Sequence, residues 1–392
     1  MTVVMLALLV AGAPRPALAA ATGSRFLALC YHDVQDADPD QTFVGVTTAR
    51  LVEQLSWLQR NGYRFVSVDD LLAARDGRRK LPDKAVLLTF DDGLESFYTR
   101  ALPILKAFRA PAVLALVGEW LAAAPGTTVA YGDAHVPRDT FLGWDQVREI
   151  ARSGLVEIAS HTFNLHRGIA SNPQGNTEPA VVTRRYDPKT GAYEDEAAYD
   201  HRLAADADAE THLFVRELGR APRVLVWPYG ERNQAALSIE AAHGLAVTFT
   251  LADGMATVDR LAAAPRHLIT PDPVMDQYVS ELRELSQPGP QRAVQIDLDD
   301  VYDRDPAQQE RNLDRLIQRV QDMEITTVFL QAFADPDGSG LAKQVYFPNR
   351  ELPMRADLFN RVSWQLRTRA HVKVFAWMPV LAFDLDPSIA RV

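Results

Sequence analysis

Four short stretches hold residue types able to do hydrolytic chemistry. Thr89-Phe90-Asp91-Asp92-Gly93 sets two carboxylates side by side after an apolar run. Adjacent carboxylates repel unless a cation or a proton intervenes, and Gly93 allows a sharp turn. The alternative is a solvated turn capping the next helix. Ser160-His161-Thr162-Phe163-Asn164-Leu165-His166 supplies two imidazoles separated by four residues. On an ideal helix they would fall about 140° apart. Only a loop or a bent turn aims both at one ion, unlike the helical i, i+4 zincin pair. Tyr31-His32-Asp33 adds a third histidine, which alone reads more often as an ordinary packed or surface residue. Trp227-Pro228-Tyr229-Gly230 adds two flat aromatic faces on a turn set by Pro228 and Gly230. Such faces suit a sugar ring or a core.

These stretches need elements to bring them together. Apolar runs at Phe26–Tyr31, Ala85–Phe90, Ala112–Val117, Leu155–Ser160, Arg223–Trp227 and Ala246–Thr250 are apolar on successive residues. That pattern suits strands buried on both faces of a parallel sheet. Helical patterns lie between them. Thr48 is a candidate cap for a helix with Leu51, Leu55 and Leu58 on one face, and a second helix runs from about Glu194 to Leu218, stopped by Gly219. Alternating β and α units imply an α/β barrel or a doubly wound sheet. In either, functional residues gather at the C-terminal strand ends. All four stretches sit at such ends. Together they make a facial set of two histidines and one carboxylate, a second carboxylate as base and His32 as acid. That is the equipment of metal-assisted hydrolysis.

The rest of the chain frames this unit. Residues 167–191 are polar and aperiodic, which reads as an insertion over one mouth of the domain. Gln287-Pro288-Gly289-Pro290 reads as a linker. Beyond it Ala293–Leu298, Thr326–Gln331 and Val372–Met378 are expected strands and Pro306–Met323 a helix, the start of a second β/α barrel cut short. Val3–Val10 is about half the length that spans a bilayer, and Ala17-Leu18-Ala19 follows as a cleavage pattern. Residues 1–20 are therefore expected to be a secretion signal, directing the protein to the periplasm without a retained anchor.

Composition narrows the classes further. At 47% hydrophobic and 23% charged, the 392 residues are those of a folded chain with two or three domains, not a disordered one. The net charge of −10, with no basic cluster larger than Arg78-Arg79-Lys80, argues against nucleic acid. A single cysteine, Cys30, excludes an intrachain disulfide framework, so a metal must rest on His and Asp. Its apolar neighbours point to an inert, packed thiol.

The motif set resembles the polysaccharide deacetylases of carbohydrate esterase family 4. Thr89–Gly93 resembles the first motif of that family, His161 through His166 the metal motif, and Trp227–Gly230 the Pro-Tyr groove motif. The acid-histidine position falls on His32, ahead of the other motifs. That circularly permuted order, with the insertion and the second β/α unit, resembles the branch acting on poly-β-1,6-N-acetyl-D-glucosamine in biofilm export. The resemblance implies a distorted β/α barrel (NodB-like) over residues 21–286, a linker at 287–291 and a glycoside-hydrolase-like barrel start at 292–392. It implies one divalent metal (nickel, cobalt, ferrous iron or zinc) on Asp92, His161 and His166. Asp91 would be the base, His32 the acid, the Tyr229 backbone N–H an oxyanion donor, and Arg266 the group orienting the base. Trp227 would face substrate, and Asp253 is the candidate partner of His32. An outer-membrane export machinery is the implied partner.

Three other readings remain open on the sequence. One is a β-1,4-linked substrate, as in peptidoglycan or chitin. Another is a glycan-binding module with a silent site. The third places a glycosidase in the second unit, acting through Asp297, Asp299 and Asp300, although a surface acidic run is the plainer reading.

Overall fold

The computed structural model describes residues 24–172, 175–286 and 291–386. The signal-like residues 1–20 and the Gln287–Pro290 part of the linker lie outside the described residues. No described helix is long and apolar enough to cross a membrane. The described chain divides into two compact units. The first takes residues 24–168, Pro179–Thr183 and Asp195–Ser286, and the second takes Ile169–Glu178, Arg184–Glu194 and residues 291–386.

The principal strands of the first unit are, in chain order, β1 (Arg25–Tyr31), β2 (Ala85–Phe90), β3 (Ala112–Leu116), a hairpin of β4 (Thr128–Tyr131) and β5 (Ala134–Pro137), β6 (Val156–Ser160), β7 (Val224–Val226), β8 (Val247–Phe249), β9 (Ala256–Thr257) and β10 (His267–Leu268). The main sheet runs β8-β7-β6-β3-β2-β1-β9, and every pairing from β8 to β1 is parallel. One short segment spans from β8 back to β1. Ala264 bridges Phe249, while His267 and Leu268 pair with Leu29 and Cys30 of β1. The result is a distorted barrel, one of the two arrangements the alternating pattern allows and the one the family resemblance implies.

Alternation along each strand divides the core into two layers. Leu27, Leu29, Leu88, Phe90, Leu114 and Leu116 pack with helix residues such as Leu51, Leu55, Leu58 and Ile150. Ala28, Leu87, Val113, Ala115, Val226 and Phe249 form the other layer. Burial on both faces explains why these strands read as continuous apolar runs.

The helices of this unit include α1 (Thr48–Arg60), α2 (Trp144–Arg152), α3 (Glu196–Leu218), α4 (Gln234–Ala242) and α5 (Met275–Ser286). The cap of α1 is Thr47 rather than Thr48. Thr47 keeps an extended backbone and its Oγ1 accepts from the Arg50 N–H at 3.2 Å. Asp195 caps α3 through the Ala198 N–H, so the helix starts two residues later than expected, and Gly219 ends it at φ 75°. Residues 167–191, expected to be aperiodic, include the paired short strands Gly168–Ala170 and Thr177–Pro179 and the pairing of Tyr186–Asp187 with Ala192–Tyr193.

In the second unit three parallel strands, β11 (Ala293–Ile296), β12 (Thr327–Gln331) and β13 (Lys373–Trp377), alternate with α6 (Pro306–Asp322) and α7 (Phe359–Arg369). Leu313, Ile317, Val328, Leu330, Val362 and Leu366 form its core. Asp299 is locked in place here. Its carboxylate accepts from the Tyr346 hydroxyl at 2.6 Å, from Arg355 Nη1 at 2.5 Å and from the Asp335 N–H at 2.7 Å. With its oxygens so engaged, Asp299 reads as a structural anchor.

Candidate active site

Because β1, β2, β3, β6, β7 and β8 of the main sheet run parallel, their C-terminal ends share one rim. His32 follows β1, Asp91 and Asp92 follow β2, His161 follows β6 and Trp227 follows β7. The expected site residues are therefore brought to one end of the barrel by topology alone.

Asp92, His161 and His166 form a candidate metal-ligand group, with ligand atoms within 4.8 Å of one another. Asp92 Oδ1 lies 3.5 Å from Nε2 of His161 and 3.5 Å from Nε2 of His166. This buried oxygen has no hydrogen-bond partner among the described residues, an arrangement that costs free energy unless a cation fills it. Asp92 Oδ2 accepts from the Tyr131 hydroxyl at 2.6 Å, which leaves Oδ1 as the oxygen turned to the histidines. His161 Nδ1 lies 2.7 Å from the Val226 carbonyl and donates to it. That bond fixes the tautomer and leaves the Nε2 lone pair for a metal. Burial pushes both imidazoles down to about 4, so both are neutral ligands at pH 7. The donor set fits a divalent transition metal.

The backbone here is bent to suit. Asp92 adopts φ 72° and Thr162 φ 70°, left-handed values that non-glycine residues take only when packing enforces them. Thr162 provides the bent turn that brings two histidines separated by four residues to the same Asp92 oxygen. Gly93, at φ 68°, has no room for a side chain, since a Cβ would come within 2.8 Å of Leu116 Cδ2.

Asp91 faces a different partner. Arg266 Nη1 and Nη2 donate to Asp91 Oδ1 and Oδ2 at 2.7 and 2.8 Å, a two-pronged pair. Arg266 is 1% exposed and also donates to Thr89 Oγ1 and the Thr250 carbonyl. Its place follows from the barrel seam, where its neighbours join β8 to β1. Burial alone would raise the Asp91 carboxyl, but the Arg266 charge and hydrogen bonds outweigh it and hold Asp91 below the usual carboxylate range. Cys30 Sγ also donates to Asp91 Oδ2 at 3.3 Å, and burial pushes this thiol well up, in keeping with an inert residue.

His32 joins this second group. A ring nitrogen of His32, Cys30 Sγ and an Asp91 oxygen lie within 4.8 Å of one another. The atom beside His32 Nδ1 is Cys30 Sγ, at 3.9 Å, whereas the expected partner Asp253 is an exposed residue of the turn after β8. Tyr229 takes φ 58° in the Pro228–Gly230 turn, is 41% exposed and lays its ring 4.6 Å from that of His166. One expectation needs correction. Trp227 is 1% exposed and donates from Nε1 to Thr248 Oγ1, so it is core and not a sugar platform. Arg266 is fully enclosed, with its guanidinium turned to Asp91.

Sequence reasoning missed Tyr131 and Asp206. Tyr131 lies at the tip of the β4–β5 hairpin, where Gly132-Asp133 gives a turn signal but nothing foretells the reach to Asp92. Asp206 and Glu210 had a visible signal. They are acids on the buried face of α3, in register with Leu203, Ala207 and Leu213.

Comparison with known proteins agrees with this geometry. Residues 78–248 match the polysaccharide deacetylase family, and residues 295–392 match a family described as hypothetical glycosyl hydrolase family 13. A poly-β-1,6-N-acetyl-D-glucosamine N-deacetylase of Escherichia coli (strain K12) is 49% identical over 94% of this chain. The chain spans 55% of the length of that relative. The solved de-N-acetylase from Aggregatibacter actinomycetemcomitans is 36% identical with a TM-score of 0.62, covering 66% of this chain and 99% of its own. The BpsB deacetylase domain of Bordetella bronchiseptica is 40% identical with a TM-score of 0.58, covering 63% and 96%. The chain belongs to the polysaccharide deacetylase family.

Proposed function

We propose that this chain is a metal-dependent N-deacetylase that removes acetyl groups from poly-β-1,6-N-acetyl-D-glucosamine, releasing acetate. The observation that carries the reading is Asp92 Oδ1, buried and unpaired between two neutral imidazoles. The name of the Escherichia coli relative supports the substrate, and that of the Aggregatibacter enzyme the N-deacetylation.

Asp92, His161 and His166 would hold one divalent ion, among nickel, cobalt, ferrous iron and zinc; when bound it would polarise the amide and acidify a water. Asp91, kept ionised by Arg266, would accept the proton of the attacking water. The fork from Arg266 fixes the carboxylate so that it need not reorganise during the reaction. The Tyr229 N–H would donate to the developing oxyanion, a contribution of about 3–4 kcal/mol in comparable sites. His32 would protonate the departing amine, leaving a glucosamine unit. The exposed Tyr229 ring offers the sugar a flat face.

Residues 21–286 would form the deacetylase domain, 287–291 a linker and 292–392 part of a glycoside-hydrolase-like β/α unit. The expected setting is the periplasm, beside an outer-membrane export machinery. Product analysis on matched β-1,6- and β-1,4-linked N-acetylglucosamine oligomers tests the substrate. Preferred acetate release from the β-1,6 series is expected; equal or greater release from the β-1,4 series would overturn the assignment.

A further inference from the structure

We propose that Asp206 is a positioning residue that clamps the loop between the two histidine ligands; this rests on the reading of Asp92, His161 and His166 as a metal site. Asp206 projects from the middle of α3 and is 8% exposed. Its Oδ2 accepts from the Phe163 N–H and its Oδ1 from the Asn164 N–H, each at 2.8 Å. One carboxylate thus takes up two consecutive amides lying between His161 and His166. The carbonyls of the same turn are held as well. Gly118 N–H donates to the Thr162 carbonyl at 3.1 Å and Glu119 N–H to the Phe163 carbonyl at 2.8 Å. The loop is gripped through its carbonyls by these donors and through its amides by the Asp206 acceptor.

The need for this grip comes from an asymmetry between the ligands. The His161 ring is fixed by its bond to the Val226 carbonyl. His166 Nδ1 has no hydrogen-bond partner among the described residues. Its ring packs against Trp120, Tyr229, His161 and Tyr131, with centroids 5.0, 4.6, 4.8 and 6.4 Å away. Where a ligating histidine lacks its own orienting bond, the backbone carrying it must supply the order. Asp206 supplies it to the two amides just ahead of His166. Burying this carboxyl beside Glu210 and Glu240 is costly, since both have side-chain oxygens without hydrogen-bond partners among the described residues. An apolar residue would serve packing alone at lower cost.

The test is cobalt(II) titration of the metal-free full chain, wild type against Asp206→Asn, Glu240→Gln and His161→Ala, with folding checked by circular dichroism. Asparagine keeps the shape but turns an amide donor toward one of the two N–H groups. Cobalt affinity of Asp206→Asn is expected to fall about 10–100-fold, the range for outer partners of metal ligands, with the fold retained. Glu240→Gln should bind as wild type does, because Glu240 belongs to the same buried carboxyl group without contacting the loop. His161→Ala should not bind. Wild-type affinity in Asp206→Asn, with His161→Ala silent, would overturn the clamp and leave the metal reading intact. Equal weakening in Glu240→Gln would also overturn it, as a general effect of the buried acids. A wild type that binds no divalent ion would overturn both. Amide hydrogen exchange on metal-free wild type covers the case of an unfolded variant. Protected Phe163 and Asn164 amides support the clamp, and freely exchanging ones contradict it.

Discussion

Asp91 and Arg266 lie 175 residues apart in the chain yet meet through two hydrogen bonds of 2.7 and 2.8 Å inside the barrel. The pair exists because Ala264 bridges to β8 and His267–Leu268 pair with β1, delivering Arg266 to the seam beside the end of β2. A structural closure and the carboxylate proposed as the base thus share one arginine.

Removing that arginine should damage stability and activity together. Arg266→Met leaves Asp91 as a buried charge without its cation, a loss of about 3–5 kcal/mol in comparable pairs. The pH dependence has a definite sign. The folded-state value for Asp91 is depressed below the ordinary 3.8, so its contribution is present above about pH 4 and fades as pH falls below it. Urea unfolding should show a larger gap between wild type and Arg266→Met at pH 7 than at pH 3.

Glu240 gives the opposite sign. Burial, then the charge of Asp206, raises its carboxyl from 4.5 to about 8. The folded protein holds a proton that the unfolded chain releases, so this group erodes stability as pH rises from about 4.5 to 8. Glu240→Gln should therefore gain on wild type at pH 8.5 relative to pH 4.5, measured as the shift in urea midpoint. A gap independent of pH would contradict the assignment.

Tyr131→Phe removes a single hydroxyl, the donor to Asp92 Oδ2. Divalent-metal affinity is expected to fall about 10-fold, the lower end for outer partners of ligands, with the thermal midpoint nearly unchanged. Isothermal titration with zinc or cobalt on the metal-free protein reads this directly.

Trp227 separates core from substrate contact. Trp227→Ala should cost about 3–5 kcal/mol of stability, as for buried aromatics elsewhere, while KM at a permissive temperature stays near wild type. Tyr229→Ala should do the reverse, raising KM with little loss of stability, since its ring is 41% exposed.

Much of this was legible in the residues. The six apolar runs located the six parallel strands to within one or two residues, because burial on both faces leaves few polar interruptions, such as Thr89 and Glu157. Asp91, Asp92, His161 and His32 could be named as candidates since each lies just past the end of such a run, and parallel strands bring their ends together; His166 was picked out by its spacing from His161. What the sequence concealed depends on distance in the fold. Nothing in the hairpin sequence shows the Tyr131 hydroxyl reaching Asp92. Trp227 read as a platform because a strand end does not reveal which way its last side chain points. Asp206 was the visible exception, an acid in the apolar seam of α3 whose partners lie 42 and 43 residues away.

The central claim is tested most directly by acetate release from a β-1,6-linked N-acetylglucosamine oligomer, measured for the purified chain as isolated, after chelation and after metal add-back. Release that stops with chelator, returns with a divalent ion and is lost in the His161→Ala, His166→Ala double variant is the expected result. Undiminished release from the chelated protein or from that double variant would contradict it.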